Sequence, residues 1–516
     1  MDFAPVAERI VDALLEADPT SATFAGDHRF DDRLPDYSPD GVVAQVAMLR
    51  DASDTLAQID IDTLDAQEQV DHAALQNLVE SKVFELTEIR SHEWNPLVHN
   101  PGDALYELVA KPFAPAEERR ELLSGRLSAI PDVLAVARTV LRDCPQIHLE
   151  TAAGQFAGTA ALVRDEAGEL PAAPEAVAAL EEFVGWLQAQ EGGRDPRLGR
   201  RLWEAKLWHT LDTELGATEL LARAEANLDR VTEELRSAAA ELTGGGSIRE
   251  ALDLLADERP DDATIVALAR EALDDTTAFV REHDLVSLVD DGCDVQEMPE
   301  FARGIAVAHC NSPGPLETAD VRTYFAIAPT PADWSEHRIE SFYREYNDHM
   351  VRDLTVHEAM PGHYLQLAHS RRYPGRVRAL AHSGTFIEGW AVYAEELMAE
   401  HGYGGLPVRL QQLKMQLRMT INTILDQLVH CENLGEAEAM ALMTDRGFQQ
   451  EGEAAGKWRR ALLTSTQLST YFVGWSEVSA IAAARPADVS LRAWHDAMLR
   501  HGSPAPRHVR ALLVSD

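Results

Sequence analysis

The chain has 516 residues, of which 45% are hydrophobic and 6% aromatic, a composition that allows a large core and excludes global disorder. Its 46 basic residues stand against 86 acidic ones, which gives a formal net charge of −40. A field of that sign repels phosphate backbones and offers no basic patch to anionic lipids. The sequence therefore predicts neither a nucleic-acid partner nor a membrane partner.

The four cysteines, Cys144, Cys293, Cys310 and Cys431, lie far apart and form no Cys-x-x-Cys pair. This spacing argues against a disulfide framework and against a thiolate zinc cluster. The first residues lack the basic segment of a secretion signal, and no window reaches the roughly 18 uninterrupted apolar residues of a membrane span. These features predict a soluble protein in a reducing cytoplasm.

Most of the chain carries the apolar period of amphipathic helices. In the opening segment, Val6, Ile10 and Leu14 recur at helical spacing. Helical patterns follow in four further segments, at 43–90, 115–192, 215–242 and 247–285. From Trp334 to the C-terminus, helical patterns dominate again.

Three short segments upstream of Trp334 interrupt this period. They are rich in β-branched and aromatic residues and span Val295 to Met298, Gly304 to His309 and Arg322 to Ala328. The sequence therefore predicts a mainly α fold, a large helical body with a small β-sheet. We predict a single unit over 1–516, which subdivides, if at all, into a helical part at 1–290 and a part at 291–516 that carries the sheet.

The main chemical signal is the stretch from His357 to His363, which reads His-Glu-Ala-Met-Pro-Gly-His. In a zinc-binding helix of the His-Glu-x-x-His type, the histidines are four residues apart and face the same way. Here they are six apart, and six residues turn a straight helix by about 600°, which leaves the side chains about 120° apart. Pro361 and Gly362 allow the helix to break. We therefore predict an interrupted helix in which the two histidines converge.

These residue types suit a catalytic zinc site, in which two neutral imidazoles and one carboxylate hold the ion and leave a position for water. Glu388, about 25 positions after the second histidine on a further helical segment, is the candidate third ligand. Glu358, beside the first histidine, is the candidate general base that takes the proton of the water. Asp353, Glu395 and Glu396 are candidates for orienting an imidazole.

Each of these residues also has a plainer interpretation. Two histidines six apart are, without other signals, more often surface or capping residues, and a single helix carboxylate such as Glu388 is most often solvated. Trp390 and Tyr393 in the same segment are most simply core residues. The adjacent Glu358, the Pro361-Gly362 break and the second acidic segment together favour a metal site.

Two segments, His357 to Gln366 and Glu388 to Glu395, resemble the paired signatures of a bacterial family known as domain of unknown function 885, in the gluzincin clan of metallopeptidases. The resemblance covers nearly the whole chain and extends to four further segments, Asp18 to Gly26, Trp94 to Leu97, Arg418 to His430 and Tyr471 to Gly474. The chain departs from the family pattern at Ser465-Thr466-Gln467, where the family carries Pro-Gly-Gln.

The resemblance implies a helical peptidase-like fold with a small sheet beside the active-site cleft, similar in outline to thimet oligopeptidase and angiotensin-converting enzyme. It agrees with Glu388 as the third zinc ligand. It implies that Tyr471 and His430 stabilise an oxyanion and that Arg418 binds a substrate carboxylate, although packing is the plainer interpretation of each. It also implies an edge strand that pairs with extended peptide, for which Arg322 to Ala328 is the candidate.

The sequence thus predicts a cytoplasmic, zinc-dependent hydrolase of peptide or amide bonds in short peptides or peptide-like metabolites. One ion is bound by His357, His363 and Glu388, and Mn or Fe suits the same ligands. Glu358 is the general base. Two alternatives stay open: a biosynthetic hydrolase of an amide or ester in a secondary metabolite, and a catalytically silent helical scaffold. The sequence predicts no oligomeric state.

Overall fold

The computed structural model describes residues 2–289, 291–298, 303 and 306–515. Their secondary structure is mainly helical with one three-stranded sheet, which confirms the predicted fold class. The predicted strand Gly304 to His309 begins at residues that lie outside this described part.

The chain forms two compact units. The first, called the N-terminal unit, comprises residues 2–198 together with Pro313–Val321 and Gly375–Ala381. The second, called the C-terminal unit, comprises Gly199–Ser312, Arg322–Pro374 and the chain from His382 onwards. All candidate metal ligands belong to the C-terminal unit.

The first eight helices belong to the N-terminal unit and are joined by loops with short 3-10 and π-helical turns. They are α1 (Phe3–Ala17), α2 (Pro19–Ala25), α3 (Pro39–Leu56), α4 (Ala66–Phe84), α5 (Gly102–Ala110), α6 (Ala116–Val140), α7 (Gln146–Ala167) and α8 (Ala173–Gln188). The predicted apolar stripe of α1 is confirmed, since Val6, Ile10 and Leu14 are all buried in the core of this unit.

The next elements are four helices and the sheet strands: α9 (Arg200–Leu211), α10 (Ala217–Thr243), α11 (Ile248–Ala256), α12 (Ile265–Glu282), β1 (Cys293–Glu297), β2 (Ala308–Asn311) and β3 (Thr323–Ile327). The remaining helices are α13 (Glu336–Glu345), α14 (Asp348–Glu358), α15 (His363–Ser370), α16 (Arg376–Leu380), α17 (Gly384–Glu400), α18 (Gly405–Glu432), α19 (Glu436–Ala441), α20 (Glu451–Leu463), α21 (Thr470–Ala483), α22 (Leu491–Leu499) and α23 (Pro506–Ser515). Of these, α16 belongs to the N-terminal unit. None of the described helices is long and apolar enough to cross a membrane.

A partly buried polar cluster inside the N-terminal unit surrounds His28. Its Nδ1 lies 2.7 Å from Asp31 and its Nε2 lies 2.9 Å from Glu317, while the ring stacks on Phe113 with centroids 3.7 Å apart. Burial lowers the pKa of His28, but the hydrogen bonds to the two carboxylates outweigh burial and raise the pKa above its ordinary value. Both ring nitrogens therefore have a carboxylate partner, and the cluster attaches Pro313–Val321 to the rest of its unit.

The sheet of the C-terminal unit has the strand order β1-β3-β2. β1 pairs with β3 in parallel, and β2 pairs with β3 in antiparallel orientation, with Cys310 opposite Phe325. β3 is therefore the central strand, and the prediction that Arg322 to Ala328 is a substrate-pairing edge strand is wrong. The composition of a segment identifies it as a strand, but strand order depends on pairings that the sequence pattern does not show.

Two helices of the C-terminal unit, α17 and α21, cross in close contact because each has a glycine at the crossing. A Cβ atom at Gly389 would lie 2.4 Å from the backbone of Gly474, and one at Gly474 would lie 2.2 Å from the carbonyl oxygen of Thr385. Larger side chains would force the helices apart. This contact fixes the position of α17, the helix that carries Glu388.

Candidate metal centre

The helix breaks where the sequence predicts it. α14 ends at Glu358 and α15 begins at His363. Gly362 lies in the turn between them and donates its N–H to the carbonyl oxygen of Val356 at 2.9 Å. A Cβ atom at this position would lie 2.0 Å from the carbonyl oxygen of His357, so the turn requires glycine.

Pro361 connects the turn to the neighbouring helix. The Met360–Pro361 peptide bond is cis. The carbonyl oxygen of Pro361 accepts a hydrogen bond of 2.8 Å from the indole Nε1 of Trp390, which is fully buried on α17 as predicted. The turn between the two histidines is thus attached to the helix that carries Glu388.

The side chains of His357, His363 and Glu388 converge. Oε2 of Glu388 lies 3.5 Å from Nε2 of His357 and 3.4 Å from Nε2 of His363. All three candidate ligand atoms lie within 4.8 Å of one another. Ligand atoms held tetrahedrally at about 2.0–2.1 Å from a zinc ion are about 3.4 Å apart. The donor set and its spacing therefore fit a divalent metal ion.

α17 supplies a second carboxylate to the cluster, two turns after the first and on the same face. Oε1 of Glu395 lies 2.6 Å from Nδ1 of His357, which makes Nδ1 the protonated nitrogen and leaves Nε2 as the ligand atom. Asp353 is buried one turn before His357 on α14, and burial together with Glu395 raises its pKa. Glu396 instead accepts a hydrogen bond of 2.7 Å from the indole Nε1 of Trp475.

The charges of the cluster favour a cation. Burial would raise the pKa of Glu388, but His363 and His357 lower it below its ordinary value. Burial would lower the pKa of His357, but Glu388 and Glu395 raise it well above its ordinary value. The carboxylates thus create a negative potential at the imidazoles, where a metal cation competes with protons.

Glu358 lies beside the first histidine and faces the sheet. Its Oε2 accepts a hydrogen bond of 3.0 Å from the backbone N–H of Cys310 in β2. Hydrogen-bonded and non-hydrogen-bonded pairs alternate along an antiparallel ladder. Because Ala328 donates to the carbonyl oxygen of Val307, the Cys310–Phe325 pair is a non-hydrogen-bonded one, and the N–H of Cys310 points away from β3. The bond attaches the candidate base to the outer edge of the sheet. A backbone N–H has no signature in the sequence, so the sequence does not predict this contact of Cys310.

The two candidates for oxyanion stabilisation contact other groups. The hydroxyl of Tyr471 on α21 accepts a hydrogen bond of 3.3 Å from Nη2 of Arg460. His430 is buried near the end of α18, with its Nε2 3.0 Å and 2.9 Å from the carbonyl oxygens of Ala461 and Thr464. These bonds join α18 to the end of α20, and the catalytic roles of Tyr471 and His430 stay predictions.

Arg418, the candidate carboxylate-binding residue, already has carboxylate neighbours. Its Nη1 lies 3.6 Å from Glu345, and its Nη2 donates to Glu453. The proposed contact with substrate stays a prediction. Beside it on α20 lie Lys457 and Arg460, two cations for which the sequence predicts no role. Their only signal is the spacing of Glu453, Lys457 and Arg460 on one helical face.

These observations define a mainly helical protein with a partly buried His-His-Glu cluster of metal-binding geometry. Residues 19–513 match the profile of a family described as bacterial protein of unknown function, DUF885, and the chain belongs to this family. The family assignment made from the motifs is therefore confirmed. No curated protein is significantly similar to the chain.

Two solved structures are similar over nearly their whole length. One is described as a "putative lipoprotein of unknown function" from Shewanella oneidensis; it is 30% identical, covers 100% of both chains and has a TM-score of 0.84. The other is described as a "putative lipoprotein" from Colwellia psychrerythraea; it is 16% identical, covers 99% of this chain and 98% of its own, and has a TM-score of 0.81. The second likeness shows the fold alone.

Proposed function

We propose that this protein is a metal-dependent hydrolase of peptide or amide bonds, of the gluzincin type. The observation that carries the proposal is the convergence of His357, His363 and Glu388 next to a separate carboxylate, that of Glu358. A purely structural metal site has no use for this additional carboxylate, whereas a hydrolytic site requires a base.

His357, His363 and Glu388 would hold one zinc ion, and their imidazole and carboxylate donors also suit Mn or Fe. When bound, such an ion lowers the pKa of a water molecule and polarises the scissile carbonyl group. Glu395 keeps the ring of His357 in the orientation and tautomer that expose Nε2.

Glu358 performs the proton transfers in this proposal: it accepts a proton from the attacking water and delivers it to the leaving amine. Tyr471 is the candidate donor to the oxyanion. Because Arg460 donates to its phenolic oxygen, the O–H proton of Tyr471 remains available for a second partner. We assign no step to His430, since its Nε2 already contacts two backbone carbonyl oxygens.

The outer edge of β2 supports a peptide as the substrate. An extended peptide can add to such an edge as a further strand through main-chain hydrogen bonds. Because the N–H of Cys310 contacts Glu358, a peptide paired with β2 has its backbone beside the proposed base. Short peptides and peptide-like metabolites are therefore the proposed substrates.

The compartment is part of the proposal. The four cysteines are free in the structure, which suits a reducing cytoplasm. The two similar structures are described as putative lipoproteins, a description that favours a location outside the cytoplasm. We propose the cytoplasm for this chain. Fractionation of cells that produce it tests this, and recovery of the protein in the membrane or periplasmic fraction would contradict it.

Metal analysis of the purified protein tests the proposed site. We expect about one equivalent of Zn, Mn or Fe, and loss of that metal together with peptide hydrolysis in His357→Ala. His337, an exposed histidine on α13, provides the matched control, since His337→Ala should keep both. Less than about a tenth of an equivalent after reconstitution would contradict the proposal.

A further inference from the structure

A second cluster of charged residues lies in the C-terminal unit, where α13, α18 and α20 meet. It contains two carboxylates, Glu345 at the end of α13 and Glu453 on α20. It contains four cations, Lys414 and Arg418 on α18 and Lys457 and Arg460 on α20; we call these four the cation cluster. On a chain with a net charge of −40, this is a local excess of positive charge.

Both carboxylates are engaged by the cations of α18. Glu345 lies 2.9 Å from the amine of Lys414 and 3.6 Å from the guanidinium of Arg418. Glu453 accepts a hydrogen bond from Arg418, and Arg418 is the main cause of the lowered pKa of Glu453. Neither of these two carboxylates lies within 4.0 Å of the charged group of Lys457 or Arg460.

Among the described residues, Lys457 and Arg460 on α20 therefore lack a carboxylate partner. Glu453, Lys457 and Arg460 lie on one face of the helix, and a Glu–Lys pair four residues apart ordinarily forms an ion pair. Among the described residues, however, no carboxylate lies within 4.0 Å of the amine of Lys457. Within the described part of the chain, the acceptors of Arg460 are neutral oxygens, those of Gln467 and Tyr471.

Lys457 gives the strongest indication of a missing anion, because it is only 9% exposed. An ammonium group that is buried without a partner is costly to the folded state. Burial, together with the positive charges of Arg418 and Arg460, lowers the pKa of Lys457 to about 7, although Glu453 acts in the opposite direction. A negative charge placed beside the amine would therefore stabilise its charged form in the folded protein.

The neighbouring face of α18 has unused hydrogen-bonding groups as well. Gln411, Lys414, Arg418 and Asn422 follow one another at helical spacing on the same face. Gln411 and Asn422 are 1% and 6% exposed, and their amide groups include buried atoms with no hydrogen-bond partner in the described part of the protein. Buried polar atoms of this kind ordinarily have a partner, so these amide groups are able to bind a polar group placed beside Lys414 and Arg418.

We propose that the cation cluster is a binding site for an oxyanion, a carboxylate or phosphate group that contacts Lys457 and Arg460. Oxyanions accept the charge-assisted hydrogen bonds that ammonium and guanidinium groups donate. Arg418 completes the site from α18 but is itself neutralised by Glu345 and Glu453.

Two sources can supply this group, the terminal carboxylate of a peptide or free phosphate. The peptide source rests on the proposed function, and one contact supports it. Arg460 donates to Tyr471 on α21, and α21 packs through Gly474 against Gly389, the residue next to Glu388. The phosphate source requires no hydrolase.

Thermal unfolding of the full chain, as purified, tests the site without requiring turnover. The ligands are inorganic phosphate, N-acetyl-dialanine and the C-terminal amide of the same peptide. A ligand that binds the folded protein at about 100 times its Kd should raise the Tm by roughly 2–5 °C. We expect this shift in the wild type, its loss in Lys457→Met and its retention in Lys457→Arg.

Comparing variants at the same ligand concentration removes general salt effects and binding at the metal centre, since both persist in Lys457→Met. Arg236→Met, which removes an exposed cation of α10, is the matched control and should respond as the wild type does. A shift with the peptide acid but not with its amide identifies a terminal carboxylate, and a shift with phosphate alone identifies free phosphate. Either result supports the site.

No shift in the wild type, or an equal shift in Lys457→Met, would overturn the proposal. Lys457→Met should itself unfold at the same temperature as the wild type or higher, since it removes an unpaired buried charge. If that variant does not fold, Lys457→Gln provides the same comparison. Failure of the hydrolase proposal stays distinguishable, because it appears as absent metal or turnover while the Tm shift depends on neither.

Discussion

Two histidine–carboxylate clusters in this protein use the same residue types for different ends. In the N-terminal unit, one imidazole, His28, has a carboxylate at each ring nitrogen, Asp31 and Glu317. In the C-terminal unit, two imidazoles, His357 and His363, direct their Nε2 atoms towards one carboxylate oxygen. The first arrangement uses both nitrogens in hydrogen bonds and suits a charged imidazolium. The second leaves lone pairs that converge on one point.

The difference shows that convergence, rather than composition, indicates a metal site. His28 has more acidic contacts than His363, yet it offers no nitrogen to an ion. At the metal centre, Glu395 occupies only Nδ1 of His357 and thereby directs the other nitrogen towards Glu388. Substitutions at the metal centre should therefore change metal binding or hydrolysis, whereas a substitution of His28 should change stability and leave the metal content unaltered.

The largest effect is expected from Glu358→Gln. The amide keeps the shape of the side chain and its oxygen can still accept from Cys310, but it cannot take up a proton. We expect hydrolysis of a peptide to fall roughly 100- to 10,000-fold, the contribution of a positioned base. Kinetics and metal content are measured on the same preparation, and the metal content should not change. Full activity in this variant would exclude Glu358 as the base.

The next effect concerns the turn that makes the histidines converge. Gly362→Ala would place a methyl group against the carbonyl oxygen of His357 and should cost about 1–3 kcal/mol of stability and displace the two imidazoles. Metal titration and chemical denaturation measure the two effects. Gly384→Ala is the control, because a Cβ atom there meets nothing within 4 Å. Wild-type metal affinity in Gly362→Ala would contradict the role assigned to the turn.

The sequence predicted the features that depend on chemical type and local geometry. His357, His363 and Glu388 are predicted as ligands from their residue types. Because a six-residue spacing cannot work on a straight helix, Pro361-Gly362 is predicted to break the helix, and the structure has that break. Glu395 was one of three candidates for orienting an imidazole, and the structure selects it by a contact of 2.6 Å. Residue type and local spacing were sufficient for the ligands, whereas the choice of Glu395 required the contact seen in the structure.

The features that the sequence did not predict depend on long-range pairing. The central position of β3 follows from β1 and β2 on its two sides, and no pattern within Thr323–Ile327 indicates it. Glu453 forms its ion pair with Arg418, 39 positions before Lys457, rather than with Lys457 on its own helix. Such partners become visible when distant helices are brought together.

A smaller effect is expected from the carboxylate that orients His357. Glu395→Gln removes the charge that holds the Nδ1 proton and should lower metal affinity about 10- to 100-fold without abolishing binding. Competition with a chelator measures this. Glu396→Gln is the control from the next position, since its amide oxygen can still accept from Trp475. Equal affinities in the two variants would remove Glu395 from the metal centre.

The smallest effect is expected from the cluster around His28 in the N-terminal unit. Because the folded-state pKa of His28 lies above its unfolded value of about 6.5, its charged ring contributes stability below pH 6.5, and that contribution is lost as the pH rises through the folded-state pKa. His28→Gln should therefore cost about 1–2 kcal/mol at pH 6 and progressively less at higher pH. Urea denaturation across this range measures the difference, and metal content should stay unchanged.

The exposed His337→Gln should show no such trend. A cost independent of pH would mean that His28 acts through its stacking on Phe113 rather than through its charge.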